Sequence, residues 1–470
     1  MSLDYTTTSY PKNMSYHFDR LGLYSKQTLK IFPDRTGVVN HNETLRFQLP
    51  PNSLIDLDSL LWSYNLTALL HSTDNGGLIR SRYAPRNSAS VISAINVYAN
   101  DVLIDPCTYY NHLFNLLSDH SAGFDYHQGG MRYLENTDPS VKPIYTVADG
   151  GLAYHNTKTS PAVNQTDTNR QFIVRNWLGF LGTCTPKVIN TAYFGNVVIE
   201  IILAEPTILW QSIAVAGAPV VINNANPSYT INASTSFMSV TRIAFGDSTY
   251  YDLLRQVYES QGLMLPFCNY TSHRGNTFVK AAATFTHNFN VNASHLIKLI
   301  GTTVINEFQT DAGLLNTANT PFLTQHAAGA VQLFNQCNYF RKECTGLAST
   351  NWEINNIAQY PTPITVTDIY NQNLIALNQD SDIRAGVHPG MGDVFQFLKY
   401  YFMTILSFEH IQNNPEFVME GLDGKAAAIN CKWTLTLDQV GEARSLFPLV
   451  WSERQQVVML NAGQQIRVIN

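Results

Sequence analysis

Apolar and polar positions along this chain form short alternating runs punctuated by Gly, Pro and Asn, and one stretch organises the rest. From Ser236 to Phe267, SFMSVTRIAFGDSTYYDLLRQVYESQGLMLPF, an apolar run passes through a turn into a helix and out into a second apolar run. Phe237 to Phe245 is rich in β-branched and aromatic residues and predicts a strand. Its alternation slips between Val240 and Ile243, which predicts a bulge. Asp247 or Ser248 can accept from the unpaired amides of a helix start. Tyr250, Leu253, Leu254 and Val257 then make one apolar stripe, with Asp252, Arg255, Gln256 and Glu259 mostly opposite. Gly262 stands where a left-handed cap would end the helix.

The same pattern of positions occurs twice. Thr44 to Leu70 reads as two strands separated by the turn signal Pro-Pro-Asn-Ser. Thr286 to Ile305 lies over it without a gap. Thr44, Phe47, Leu49, Leu54, Ile55 and Leu57 match Thr286, Phe289, Val291, Leu296, Ile297 and Leu299, a spacing of 242 residues. A second landmark follows in the same order. Ser93 to Leu117 predicts a strand, a turn at Asn100-Asp101, a short strand, and a helix capped by Asp105 with Pro106 at its first position. Glu353 to Leu377 repeats that order with Asp368 before the helix, and Tyr110-Asn111 matches Tyr370-Asn371. Phe194 to Trp210 and Phe237 to Phe245 close the first half. Ile429 to Leu437 and Gln455 to Ile469 close the second.

Each half therefore offers about eight short strands with few helices, which predicts an all-β fold of two tandem eight-stranded jelly rolls with short helices and long loops. The expected division is an N-terminal arm at 1–25, a first jelly roll at 26–262 and a second at 263–470, with regular structure starting near Leu29. Gly123 to Asn169 and Gln309 to Thr350 interrupt the match as long polar segments; the second contains a helical-looking stretch, Thr320 to Asn335. Loops of that length are usually functional or ordered by partners. Within the first, the apolar anchors Met131 to Val147 predict burial between subunits, and Thr157 to Asn169 predicts an exposed tail.

Composition narrows the function. Charged residues make up 14% of the 470 and aromatics 11%, against about 25% charged in ordinary soluble domains. Such a charge-poor, aromatic surface suits extensive subunit contacts, because interface cores are depleted in charge. A net charge of -6 argues against a general nucleic-acid-coating role. The apolar runs are interrupted, by Glu200 and Glu205 in one and Lys399 in another, so none reads as a membrane span. The N-terminus has no apolar h-region, which predicts no signal-peptide secretion and reduced cysteines. Seven Asn-x-Ser/Thr sequons, at Asn13, Asn42, Asn65, Asn164, Asn232, Asn269 and Asn292, then read as chance.

Candidate chemistry is sparse. There is no Walker loop, G-x-G-x-x-G, H-E-x-x-H or G-x-S-x-G. Cys337 and Cys344 are too far apart for a C-x-x-C knuckle. Asp56 with Asp58, or Asp380 with Asp382, are the carboxylate pairs a glycosidase would need, and each reads as a solvated turn or loop. His287 and His295 flank the repeated strand pair and read as polar face residues. Gly386 to Gly392, GVHPGMG, reads as a flexible loop. No catalytic, metal or cofactor residue is assigned, and no cofactor is expected.

The duplication, Ser90 to Ser118, the run VVIEIILAEP from Val197 to Pro206, and the Phe237 to Gly262 joint together resemble the double jelly-roll major capsid proteins, most closely those of polinton-like viruses and related small eukaryotic DNA viruses. The resemblance covers nearly the whole chain in organisation. It implies a structural protein rather than an enzyme: a homotrimer forming pseudo-hexagonal capsomers that tile an icosahedral virion shell. Implied partners are the chain itself, neighbouring capsomers, and penton and minor capsid proteins, with no sequence-specific nucleic acid binding. Implied location is the virion capsid, assembled inside the host cell. Alternatives are a carbohydrate-binding or carbohydrate-active β-sandwich protein, or a minor capsid or spike component. The scattered spacing of the six cysteines predicts that thiol labelling of denatured, unreduced protein counts six per chain. A count of four or two would mean disulfides.

Overall fold

The computed structural model describes residues 24–69, 79–81, 87–121, 166–212, 228–245, 249–280, 283–306, 309, 338–377, 397–398, 401–409, 421–424, 427–438, 445–461, 463 and 465–469. Sixteen of its strands form two sets of eight. The first set is β1 (Tyr24–Ile31), β2 (Thr44–Gln48), β3 (Leu54–Leu69), β4 (Ile92–Ala99), β5 (Val102–Thr108), β6 (Thr166–Val174), β7 (Val197–Leu203) and β8 (Phe237–Phe245). The second is β9 (Leu263–Arg274), β10 (Thr284–Val291), β11 (His295–Ile305), β12 (Leu347–Ile354), β13 (Ile357–Ala358), β14 (Thr404–Ser407), β15 (Ile429–Leu437) and β16 (Ser445–Asn461). Among the described residues three helices of more than two turns accompany them: α1 (Tyr110–Ser121), α2 (Thr249–Gln261) and α3 (Val366–Ala376).

Each set makes two sheets with the same order. In the first, β1-β8-β3-β6 faces β2-β7-β4-β5; in the second, β9-β16-β11-β14 faces β10-β15-β12-β13. That arrangement is an eight-stranded jelly roll, so the chain has a double jelly-roll fold. Among the described residues no sheet contains strands from both sets. Smaller strands extend the rims, including Val38–Asn40, Ser228–Asn232 and Gln465–Ile469. The expected last strand, Gln455 to Ile469, is in fact the end of β16 and the separate strand Gln465–Ile469.

Alternation builds these sheets. β7 reads VVIEIIL and buries Val197, Ile199, Ile201 and Leu203 while Glu200 points outward; β15 does the same with Ile429, Cys431, Trp433 and Leu435. The inward rows meet aromatic layers. In the first half Trp62, Tyr64 and Phe172 stack in sequence across β3 and β6. In the second, Trp352 of β12 and Trp433 of β15 lie 5.1 Å apart and nearly parallel. Gly301 of β11 faces them, and a Cβ there would stand 3.0 Å from the Trp352 ring.

The joint is as expected in outline. β8 occupies Phe237–Phe245, and its register with β3 shifts between Ser239 and Thr241, one residue earlier than the alternation suggests. α2 packs Leu254 and Tyr258 inward and exposes Asp252, Arg255, Gln256 and Glu259. Gly262 has φ +75° and its N–H bonds to the Tyr258 carbonyl, closing the helix as a left-handed cap. Asp247 and Ser248 lie outside the described residues, as do Thr320 to Asn335, Gly386 to Gly392 and nearly all of 123–169. The last four residues of that segment, 166–169, belong to β6, not to a tail. β1 starts at Tyr24, five residues before the expected Leu29.

Two expected helix starts are corrected. Asp105 and Pro106 are within strand β5, where Pro106 pairs with Asn96. β5 is the outer strand of its sheet, so a residue without an N–H costs it no ladder bond on the open side. The chain breaks instead at Tyr109, φ +53°, and α1 follows. Asp368 is not before α3 but inside its first turn, accepting from the Thr365 amide in a capping box.

Antiparallel strands sort the connections to two ends. At one end the β2–β3 turn, the Asn100-Asp101 turn and residues 190–196 are bonded together, through Thr191 N to Ser53 O and Asn100 N to Asn196 O. The second half repeats this, with Asn355 N to Asn430 O and Gly424 N to Ser294 O. Tyr24 and Leu263, the starts of β1 and β9, lie at the same end, opposite Phe245 and Leu460. β3 and α1 finish at the other end, and the long connections 70–78 and 122–165 leave from there.

The β4–β5 and β12–β13 hairpins turn on residue pairs with positive φ: Asn100 and Asp101 at +46° and +64°, Asn355 and Asn356 at +50° and +67°. This is the type I′ geometry that suits the strand twist and favours Asn-Gly. Asp101→Gly should therefore raise stability slightly, and Asp101→Val should lower it by about 1–2 kcal/mol. Urea midpoints of the two variants against the parent check this.

Candidate functional site

The residues with the most unusual surroundings gather where the two jelly rolls touch, not at the candidate carboxylate pairs. Asp58 is an exposed partner of Lys187 at 3.3 Å, and its N–H bonds to Asp56. The two acids therefore sit at a surface bulge without facing each other across a cleft. Asp380, Asp382 and Cys337 lie outside the described residues. Cys344 is buried, and burial pushes its thiol up to about 12. His287 and His295 are not face residues: both are buried, His287 stacked on Phe289. The reason is that β10 and β11 lie in opposed sheets, so polar residues flanking them are enclosed. Among the described residues no group of three or more potential metal ligands occurs. A cavity of about 110 Å³ beside Pro448 is lined by Phe278, Phe285, His287 and Trp433, with no carboxylate.

The seam has two parts. In the first, the edge strand β5 and residues 177–186 of the first jelly roll lie along β9 of the second. Phe180 meets Phe267 edge to face at 5.3 Å. Backbone amides donate across it: Thr185 N to the Pro266 carbonyl at 2.9 Å, and Cys268 N to the Thr183 hydroxyl at 2.8 Å. Further along, Thr108 bonds Ser272 and Arg274 donates to the Tyr109 hydroxyl.

Asp105 is the hub of this part and is 1% exposed. Its Oδ2 accepts from Phe180 N at 2.7 Å and its Oδ1 from Asn269 Nδ2 at 2.5 Å. Arg454 in turn donates to Asn269 Oδ1 at 2.6 Å. Two donors, one from each jelly roll, thus converge on one carboxylate, with Arg454 bonded behind Asn269. Gly179 makes room, with φ +72° and no Cβ, since a Cβ would stand 2.1 Å from Oδ2. Burial raises the Asp105 carboxyl to about 6, and the Phe180 and Asn269 bonds and Arg454 hold it from rising further.

The second part lies along α1. His112 stacks on Tyr339 at 4.7 Å and meets the edge of Phe340. Gln309 donates through Nε2 to two carbonyls, which leaves Oε1 to accept from His112 Nε2 at 3.0 Å. His112 Nδ1 is then the acceptor for the Lys342 ammonium. Burial, and secondly Lys342, lower its pKa well below the ordinary value. Two turns on, His120 Nε2 donates to Tyr401 O at 2.9 Å, and burial lowers its pKa to about 4. The apolar core of the first jelly roll continues through this seam into Phe267, Ile300, Val304 and Phe447.

Sequence reading missed these residues. Asp105 carries a signal, an acid beside a proline in a short apolar run, that has the local form of a helix cap. Asn269 stands in a sequon, but it is fully buried and bonded, so it is unavailable for modification. Nothing in the sequence links His112 to Lys342, 230 positions apart.

No family model matches the chain, and no curated protein matches it in sequence. Solved structures do match in fold. A chain of the PBCV-1 virus capsid aligns with TM-score 0.55 and 12% identity, covering 95% of this chain and 97% of its own. The Faustovirus major capsid protein aligns with TM-score 0.54 and 9% identity over 93% and 91%. The mavirus major capsid protein aligns with TM-score 0.50 and 8% identity over 94% and 90%. These structural neighbours are major capsid proteins of double jelly-roll viruses.

The seam titrates in opposed directions. A neutral buried histidine with pKa about 4 binds fewer protons folded than unfolded between pH 6.5 and 4, so stability falls as pH drops through that window. For His120 the loss approaches roughly 3 kcal/mol. Asp105, raised to about 6, has the opposite sign: its burial opposes folding most above pH 6 and is relieved as pH falls toward 4. His120→Gln, which keeps a donor for Tyr401 O, should therefore flatten the loss of stability on acidification, and Asp105→Asn should steepen it. Denaturant midpoints at pH 7 and pH 4.5 measure both.

Proposed function

We propose that this chain is a major capsid protein: a homotrimer whose six jelly rolls form a pseudo-hexagonal capsomer, many of which tile an icosahedral virion shell. Its partners are then other copies of itself, neighbouring capsomers, and penton and minor capsid proteins, and its role is assembly rather than catalysis. Within it we assign residues 1–23 to an arm, 24–262 to the first jelly roll and 263–470 to the second, since Tyr24 and Ser25 of the expected arm pair in β1. The observation that carries this reading is the repetition of one eight-stranded sandwich, in the same orientation, over nearly the whole chain. The architecture is shared with the Faustovirus and mavirus major capsid proteins. A subunit with two like units can make nearly sixfold contacts while using only threefold symmetry. The charge-poor composition supports extended subunit contacts.

The two ends of the sandwiches would then have different roles. The end that collects the strand starts and tight turns would face inward with the arm, and the end from which 122–165 departs would face outward. Mass measurement at micromolar concentration should give three times the 52.6 kDa chain mass. Electron microscopy of the same material should show six-lobed particles. Only monomer, under conditions that preserve the fold, would overturn the reading.

A further inference from the structure

The cavity beside Pro448 lies between the two sheets of the second jelly roll. β10 supplies Phe285 and His287 from one sheet, its neighbour β15 supplies Trp433 and Leu435, and Pro448 of β16 faces them from the other. Phe278 stacks on Phe285 at 4.1 Å, and the exposed residues Asn276 and Thr277 border the cavity on its solvent side. The first jelly roll has aliphatic residues at the matching positions. Leu45 pairs with Ile201 as His287 pairs with Trp433, and Leu45 and His287 are the same position of the 242-residue repeat. Leu45, Ile201 and Leu203 are all fully buried. A histidine therefore stands where the other copy of the fold has a leucine, in a wall that is largely aromatic.

Burying a polar ring there costs free energy unless its nitrogens are bonded. His287 Nε2 lies 3.3 Å from the His273 carbonyl, which can only accept, so Nε2 carries the proton and Nδ1 is left as an acceptor. No group among the described residues donates to Nδ1. Burial lowers the pKa of the ring, against the bond to His273, so the imidazole is neutral at pH 7. Gly275 leaves room beside this nitrogen, since a Cβ there would stand 2.7 Å from Nδ1 and 2.4 Å from Pro448. Size sets the rest of the ligand. The volume of about 110 Å³ approaches the roughly 150 Å³ of an apolar protein cavity that binds benzene, which is room for one six-membered ring. Phe278, Phe285 and Trp433 offer that ring the stacked and edge-on contacts that aromatic groups prefer.

We propose that this cavity is a binding site for a simple phenol, a small molecule with one aromatic ring packed among Phe278, Phe285 and Trp433 and one hydroxyl donating to His287 Nδ1. The site does not depend on the assembly proposed above, because every lining residue belongs to the second jelly roll. Its lining comes from both sheets of that unit, so an occupied cavity stabilises the sandwich by mass action.

Fluorine NMR of 4-fluorophenol and of fluorobenzene with the full chain tests this, at concentrations that leave the fold intact. 4-Fluorophenol should bind about two- to tenfold more tightly than fluorobenzene, the worth of one buried hydrogen bond, and phenol should displace it. His287→Leu, which copies Leu45, should erase that preference while fluorobenzene still binds. Thr277→Cys, changed at an exposed position, gives a second readout that leaves the core untouched. A benzyl group tethered there through a disulfide should exclude 4-fluorophenol, and reduction should restore binding, with the parent chain treated alike as background. Absence of 4-fluorophenol binding, equal binding of the two probes, or a preference that survives His287→Leu or the tether would overturn the site. If His287→Leu does not fold, the tether decides alone.

Discussion

A carboxylate with 1% exposure, placed where two sandwiches meet, is the constraint around which the rest of this molecule is arranged. Asp105 loses water on folding and is compensated by two fixed donors, the Phe180 amide and the Asn269 side chain, with the Arg454 charge behind Asn269. Those donors come from both halves of the chain, so neither jelly roll alone satisfies the acid. Leaving a buried carboxylate half-paired costs several kcal/mol, and this cost makes the relative placement of the two units specific rather than merely adhesive. The apolar surroundings supply the attraction, and the polar hub selects the one register in which β5 lies along β9.

Packing explains why that register is also stiff. Phe180 reaches across to Phe267, and the backbones of Thr185 and Cys268 bond to the facing chain. Gly179 is then without substitutes, since any side chain would occupy the space of Asp105 Oδ2. Along α1, the neutral imidazole of His112 accepts from Lys342 and donates to Gln309, an arrangement that only one tautomer permits. The seam is therefore held by directional bonds at both of its parts, with a continuous apolar core between them.

How much of this was readable depended on the range of the interaction. Local signals carried well: Phe237–Phe245, Ile429–Leu437, the Asn100-Asp101 hairpin and the Gly262 cap are in place because alternation, turn chemistry and left-handed backbone act over a few residues. Repetition carried the topology, since two sequences with matching landmarks placed β2 and β3 where β10 and β11 lie in the second half. What failed were residues whose partners are remote. Asp105-Pro106 has the local form of a helix start, and only the position of β5 at a sheet edge makes a strand proline acceptable. His287 looked like a surface residue until the opposed sheet enclosed it. Asn269, His112 and Lys342 have no local signature at all, because their roles are created by a contact between halves of the chain.

Covalent duplication has an arithmetic consequence. Because the two jelly rolls are joined through α2 and locked at the Asp105 seam, any closed ring made from this chain contains an even number of units. A ring of five is excluded by parity, whatever the angles at the seams. The tether that fixes the placement of the two units also limits the closed rings the chain can form.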